Sequence, residues 1–141
     1  MRVPAGYLLD TNLISETRKL RADAGFIAFL AAADSAGLFL SVLTLGELRK
    51  GVEAKRRNDA ATAARLEAWV DDIATTFADR VLPVDVAATR LWGELSARRS
   101  LPVIDTLIAA TAITRGLTFV TRNTRDIAAT GVPLFDPWRG G

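Results

Sequence analysis

Four acidic residues stand where chemistry is to be expected: Asp10, Glu47, Asp105 and Asp126 each follow or begin an apolar stretch from a different part of the chain. The sequence contains no histidine and no cysteine. An imidazole general base, a thiolate nucleophile and a nitrogen- or sulfur-ligated zinc site are therefore excluded. What remains is chemistry by carboxylates, hydroxyls, lysine and arginine, or by a metal ion that they hold. Carboxylates suit hard, oxygen-seeking cations such as Mg²⁺ and Mn²⁺. Taken one at a time, each acid also has a plain structural explanation. Asp10 and Asp105 suit helix N-caps, Thr44-Leu45-Gly46-Glu47 matches a capping box, and Asp126 suits a turn. Convergence on one crevice is what would turn four such residues into a metal site.

The elements that must position them follow from periodicity and punctuation. Tyr7-Leu8-Leu9 reads as a buried strand that delivers Asp10 to a loop or helix start. Residues 23–33 have helical spacing, and Gly37 ends that segment. Leu38-Phe39-Leu40-Ser41 is a second strand. A helix is expected from Thr44 to about Lys55, with Leu45, Leu48 and Val52 on one face, and a second from beyond Asp59 to about Phe77, carrying Leu66, Trp69, Val70 and Ile73. These two predict an αα-hairpin. Residues 81–84 form a third short strand, and Asp85 caps a helix reaching about Arg99. Residues 101–104 are a connection to an apolar helix from Asp105 to Arg115, closed by Gly116. Residues 118–121 are a fourth strand and 133–135 a fifth. Strands alternating with helices predict an α/β domain with a parallel sheet covered on both faces. In such sheets ligands bind beyond the carboxyl ends of the strands, where all four acids would meet.

Composition sets the outer bounds. A chain of 141 residues suits one domain, spanning 1–141. Half of it is hydrophobic and 24% is charged, ordinary for a soluble globular protein. The absence of cysteine fits a reducing cytoplasm. The opening MRVPAGYLLD carries no long apolar run, so no signal peptide is expected, and no apolar run is long enough to span a bilayer. The net charge is +2, yet fifteen of the eighteen basic residues are arginine. The planar guanidinium suits phosphate, and Arg98, Arg99, Arg122 and Arg125 are candidate phosphate contacts, although a solvated charged surface explains them equally well. Trp69 and Trp92 fall on apolar helical faces and are read as core or interface residues.

At Leu8-Leu9-Asp10-Thr11-Asn12-Leu13-Ile14-Ser15-Glu16, residues 40–48, residues 105–110 and Val120-Thr121-Arg122-Asn123-Thr124-Arg125-Asp126, the sequence resembles the PIN-domain family. It is most similar to the toxin subunits of VapBC-type toxin–antitoxin pairs, in the FitB-like or plasmid-stability subgroup. Residues 131–138 also fit that subgroup, so the resemblance runs in order along almost the whole chain. It implies a three-layer α/β/α sandwich around a central parallel sheet of four to five strands. It further implies an acidic pocket for Mg²⁺ or Mn²⁺, endonucleolytic cleavage of RNA, neutralisation by a small antitoxin, and a homodimer. Asp10, Glu47 and Asp105 take the family's first three acidic positions. The fourth falls to Asp126 or to Asn123, one turn earlier. Ile127 stands where the family usually has Phe. Thr11 and Asn12 would support the first ligand or simply start a helix. Metal-assisted hydrolysis needs no 2′-hydroxyl, so a DNA nuclease is the alternative enzyme, and a catalytically silent RNA-binding module is the alternative outside catalysis. A phosphoacceptor receiver domain would need an adjacent acidic pair near the first strand, where Asp10 stands alone.

Overall fold

The computed structural model describes residues 6–16, 18, 24–33 and 35–139. Five short strands, β1 (Tyr7–Leu9), β2 (Leu38–Ser41), β3 (Val81–Leu82), β4 (Thr118–Val120) and β5 (Leu134–Phe135), form one sheet in the order β3-β2-β1-β4-β5. Every neighbouring pair is parallel. The helices are α1 (Thr11–Glu16), α2 (Ala24–Ala32), α3 (Val42–Arg56), α4 (Ala60–Thr76), α5 (Val86–Arg98), α6 (Val103–Arg115) and α7 (Thr124–Ile127). This is the expected three-layer sandwich.

Successive side chains of a strand point to opposite faces, and here both faces are covered. Leu9, Leu40 and Val120 turn toward one core with Leu13, Ile14, Leu48, Val52 and Val70, from α1, α3 and α4. Leu8 and Phe119 turn toward the other with Ile108, Ala109, Ala112 and Ile127, from α6 and α7. A strand buried on both sides must be apolar throughout, which is why Tyr7-Leu8-Leu9 shows no alternation. Ile127 is fully buried in the second core, so the aliphatic side chain serves where the family usually has Phe.

Several boundaries differ from the sequence expectation for local reasons. Helix α3 begins at Val42 because Ser41 is its N-cap, the hydroxyl accepting from the Leu43 N–H at 3.0 Å. Strand β3 ends at Leu82 because Pro83 has no N–H to offer the ladder. Helix α6 starts at Val103, directly after Pro102 at the N-cap, so residues 103 and 104, read as connection, belong to the helix. Of the helix expected over 23–33, Ala24–Ala32 is present and residue 23 lies outside the described residues. The αα-hairpin of α3 and α4 is present, joined at the surface by an Arg49–Asp71 ion pair at 2.7 Å. Gly116 closes α6 in the left-handed region at φ 68°, which only glycine adopts without steric cost.

The strand order has a functional consequence. From the central strand β1 the chain moves outward to β2 and β3, then crosses back to β4 and β5 on the other side. Connections on the two sides leave in opposite directions, opening a crevice at the carboxyl ends of β1 and its neighbours. No helix among the described residues is long and apolar enough to cross a membrane.

Candidate active site

Asp10 is the first residue after β1 and is 4% exposed. Its carbonyl starts α1 by accepting from the N–H groups of Leu13 and Ile14. Its side chain turns into the crevice, where Thr121 Oγ1 donates to Oδ2 at 2.7 Å and the Thr11 N–H gives a further hydrogen bond. Thr121 is itself the first residue after β4, strand neighbour of β1. Two adjacent parallel strands thus end side by side and tie their exits together.

Asp105 arrives from the other side of the sheet. It lies in the first turn of α6, three residues after the N-cap Pro102, and does not cap the helix. Its Oδ2 accepts from Asn123 Nδ2 at 3.1 Å. The Asn123 N–H in turn donates to Thr121 Oγ1 at 3.0 Å. A continuous chain of hydrogen bonds therefore runs from Asp10 through Thr121 and Asn123 to Asp105, across residues up to 111 positions apart.

Glu47 projects from α3. The capping-box reading fails, because Ser41 caps the helix and Thr44 is already inside it. The Glu47 carboxylate instead accepts from Thr11 Oγ1 at 2.5 Å, and the same hydroxyl lies 3.1 Å from the buried Thr44 Oγ1. Thr11 thus serves two acids, Asp10 through its backbone and Glu47 through its side chain. Asn12 is exposed on α1, away from this contact.

The electrostatics register the convergence. The Asp10 carboxyl is pushed up from 3.8 to about 6, first by burial and then by the negative charges of Asp105 and Glu47; the bonds from Thr121 and Thr11 oppose the rise. Glu47 on α3 and Asp105 on α6 thus bear on Asp10, the residue that follows β1. Among the described residues, no three acidic side chains are drawn together into a ready-made metal cage. The donor set is oxygen only, hard and anionic, and fits Mg²⁺ or Mn²⁺.

Asp126 is not among the charges that bear on the Asp10 carboxyl. It is exposed on α7 and lines a separate pocket with Arg99, Arg125 and residues of the α5–α6 connection. Of the two candidates for the fourth position, Asn123 touches Asp105. The basic residues also part company. The Arg122 guanidinium lies over the Trp138 ring, 4.7 Å from its centroid. Arg125 and Arg99 face the pocket beside Asp126, and Arg98 is exposed in the last turn of α5. Trp69 is half-buried against the first core. Trp92 is half-buried, its indole N–H unpartnered among the described residues.

Sequence reasoning left Thr121 without a role and read Thr44 only as the start of a capping box. Both are buried hydroxyls, and the signal for Thr121 was its place at the carboxyl end of a strand, where Asp10 also stands.

Residues 7–132 match the family described as PIN domain. A curated relative, "VapC ribonuclease Y4jK" of Sinorhizobium fredii, is 37% identical over 93% of this chain and 96% of its own length. "Toxin FitB" of Neisseria gonorrhoeae is 33% identical over 93% of this chain and 97% of its own. Among solved structures, "Structure of FitAB bound to IR36 DNA fragment" superposes with a TM-score of 0.83 at 29% identity, covering 94% of this chain and 95% of that one.

Proposed function

The chain belongs to the PIN-domain family, and we propose on that premise that it is the toxin of a VapBC-type toxin–antitoxin pair, a Mg²⁺- or Mn²⁺-dependent endoribonuclease of the cytoplasm. The observation that carries the proposal is the hydrogen-bonded placement of Asp10, Glu47 and Asp105 by Thr121, Thr11 and Asn123 at the crevice where the sheet changes direction. Support for the activity comes from relatives named as a ribonuclease and as a toxin, each matched over nearly its whole length.

Asp10 and Asp105 are the direct metal ligands in this reading, and Glu47 either completes the set or orients the attacking water. These residues would hold a divalent ion, which would supply charge neutralisation at the scissile phosphate and a more acidic bound water. The remaining residues position. Thr121 fixes one Asp10 oxygen, Asn123 fixes one Asp105 oxygen, and Thr11 fixes one Glu47 oxygen. Each carboxylate thereby keeps its second oxygen in a defined direction. Asp10 must be ionised to ligate, so metal uptake strengthens as pH rises through about 6. The antitoxin is expected to seat a segment in the groove of about 210 Å³ between α1, α3 and α4, lined by Leu48, Val52, Leu66 and Trp69 and reaching Glu47 and Thr11. A homodimer completes the proposed assembly.

Matched RNA and DNA oligonucleotides, incubated with and without Mg²⁺, test the reading. RNA cleavage that requires the metal and falls by orders of magnitude in Asp10→Asn and Asp105→Asn is expected. Full activity in EDTA sinks the mechanism, preferential DNA cleavage favours the deoxyribonuclease, and binding without cleavage favours the silent module.

A further inference from the structure

Outside the acidic trio, a pocket of about 570 Å³ lies between the α5–α6 connection and α7, lined by Arg99, Ser100, Leu101, Pro102, Arg125, Asp126 and Ala129. Its two walls are the segments that meet at the Asn123–Asp105 hydrogen bond. One leads from Arg99 through Pro102 to Asp105, and the other from Asn123 to Asp126. The pocket therefore lies beside the Asn123–Asp105 contact.

Resting on the ribonuclease reading, we infer that this pocket seats the nucleotide next to the scissile phosphate, Arg99 and Arg125 contacting its phosphates and Asp126 reading the Watson–Crick edge of a guanine.

Its size lies within the range of small-molecule sites and accommodates a nucleotide. Arg99, Arg125 and Asp126 are all exposed, and among the described residues none of them spends its charge on an ion pair. Two guanidiniums against one carboxylate leave the pocket net positive, which favours an anionic occupant, and the guanidinium fork matches phosphate oxygens. Leu101, Pro102 and Ala129 offer aliphatic surface for the face of a base. A carboxylate in such a pocket only accepts hydrogen bonds, so it repels phosphate and selects a donor edge. Guanine presents two parallel donors, N1–H and the 2-amino group, matching the two carboxylate oxygens. Adenine and cytosine place an acceptor nitrogen beside their amino group, and uracil has a single imide N–H between two carbonyls. Single-stranded RNA leaves these edges free to be read. An exposed acid between two arginines, outside the metal trio, thereby acquires a role in specificity.

Fluorescence anisotropy of the full chain in EDTA, where no cleavage intervenes, tests this. The probes are uridine heptamers carrying one guanine or one inosine, which lacks the 2-amino group, at each position in turn. At one position guanine should bind roughly tenfold more tightly than inosine, about the worth of one good hydrogen bond to a charged group. Asp126→Asn and Asp126→Ala should abolish that ratio while melting at the wild-type temperature. Arg99→Ala and Arg125→Ala should weaken every heptamer alike, each lowering the salt slope by ~1. A guanine-to-inosine ratio that is flat in wild type, or unchanged in both Asp126 variants, overturns the inference alone, provided the wild-type chain cleaves RNA with Mg²⁺. Displacement of the heptamers by hexaglutamate as effectively as by uridine heptamer also overturns it, marking the pocket as a surface for an acidic peptide. A chain that neither binds nor cleaves RNA removes the ribonuclease reading and this one together.

Discussion

Asp10 concentrates the conflict on which the site depends: it is nearly fully buried, yet two other carboxylates bear on it. With its folded value near 6 and its ordinary value at 3.8, the metal-free folded chain holds, between about pH 4 and 6, a proton that the unfolded chain has released. The corresponding stability is fully present below about pH 4 and is lost as pH rises through about 6, an amount on the order of 3 kcal/mol. Asp10→Asn removes the titration and keeps an oxygen for Thr121. In EDTA the variant should melt well above wild type at pH 8, and the gap should close at pH 4; melts across that range check it, and a pH-independent gap contradicts the assignment. Arg122 illustrates the opposite lesson. Its guanidinium lies on Trp138, so Arg122→Ala should cost stability, roughly 0.5–1 kcal/mol, and weaken RNA binding less than Arg125→Ala does. Denaturant titration and anisotropy separate the two effects. The acids were legible in the sequence because the lack of histidine and cysteine left few other sources of chemistry. Thr121 was not, because its hydroxyl gains meaning only from Asp10, 111 positions away in the chain. Nor could spacing alone choose between Asn123 and Asp126: in a single short turn, one faces Asp105 and the other faces outward.

At the scale of elements, the structure separates an acid that caps a helix from one that accepts a side-chain hydrogen bond at the candidate site. Asp85 caps α5, its Oδ1 accepting from the Ala88 N–H at 2.9 Å, and its contact with Arg115 is long, at 3.5 Å. Asp105 sits inside the first turn of α6, with Asn123 on its side chain. Asp85→Ala should therefore cost about 1 kcal/mol of stability, the usual worth of an N-cap, with little change in RNA cleavage. Equilibrium unfolding and a cleavage assay decide this, and a large loss of activity would place Asp85 nearer the chemistry than the fold does. Helix existence and order were readable because the periodicity of α3, α4 and α5 is long and the breakers are explicit. The boundaries were harder. Pro102 begins a helix where it read as connection, because proline suits a helix start as well as a loop. Ser41 was read as the end of a strand, yet it also caps the next helix, and that one residue removes the capping box from Glu47.

For the molecule as a whole, the proposed trio draws on all three layers. Asp10 belongs to the end of β1, Glu47 to α3 on one layer and Asp105 to α6 on the other. A cation held by these residues would link all three layers, and only in the folded chain. Binding then adds RT ln(1 + [L]/Kd) to stability, roughly 2.7 kcal/mol at a hundredfold excess over Kd. For a domain of this length that corresponds to a rise in Tm of roughly 10 °C. The parallel sheet was legible from alternating strands and helices, but the strand order was not. That order puts β4 beside β1, and only this neighbour relation brings the Thr121–Asn123 segment, and through it Asp105, to Asp10. Asp105→Asn tests the coupling at constant shape, since the asparagine oxygen still accepts from Asn123. In EDTA the variant should melt no lower than wild type, and higher if relief of repulsion dominates. With Mg²⁺ it should gain only a fraction of the wild-type increment. Four melting curves, each protein with and without the ion, contain the answer: equal increments would mean that Asp105 is not a ligand and that the three layers are not joined through the metal.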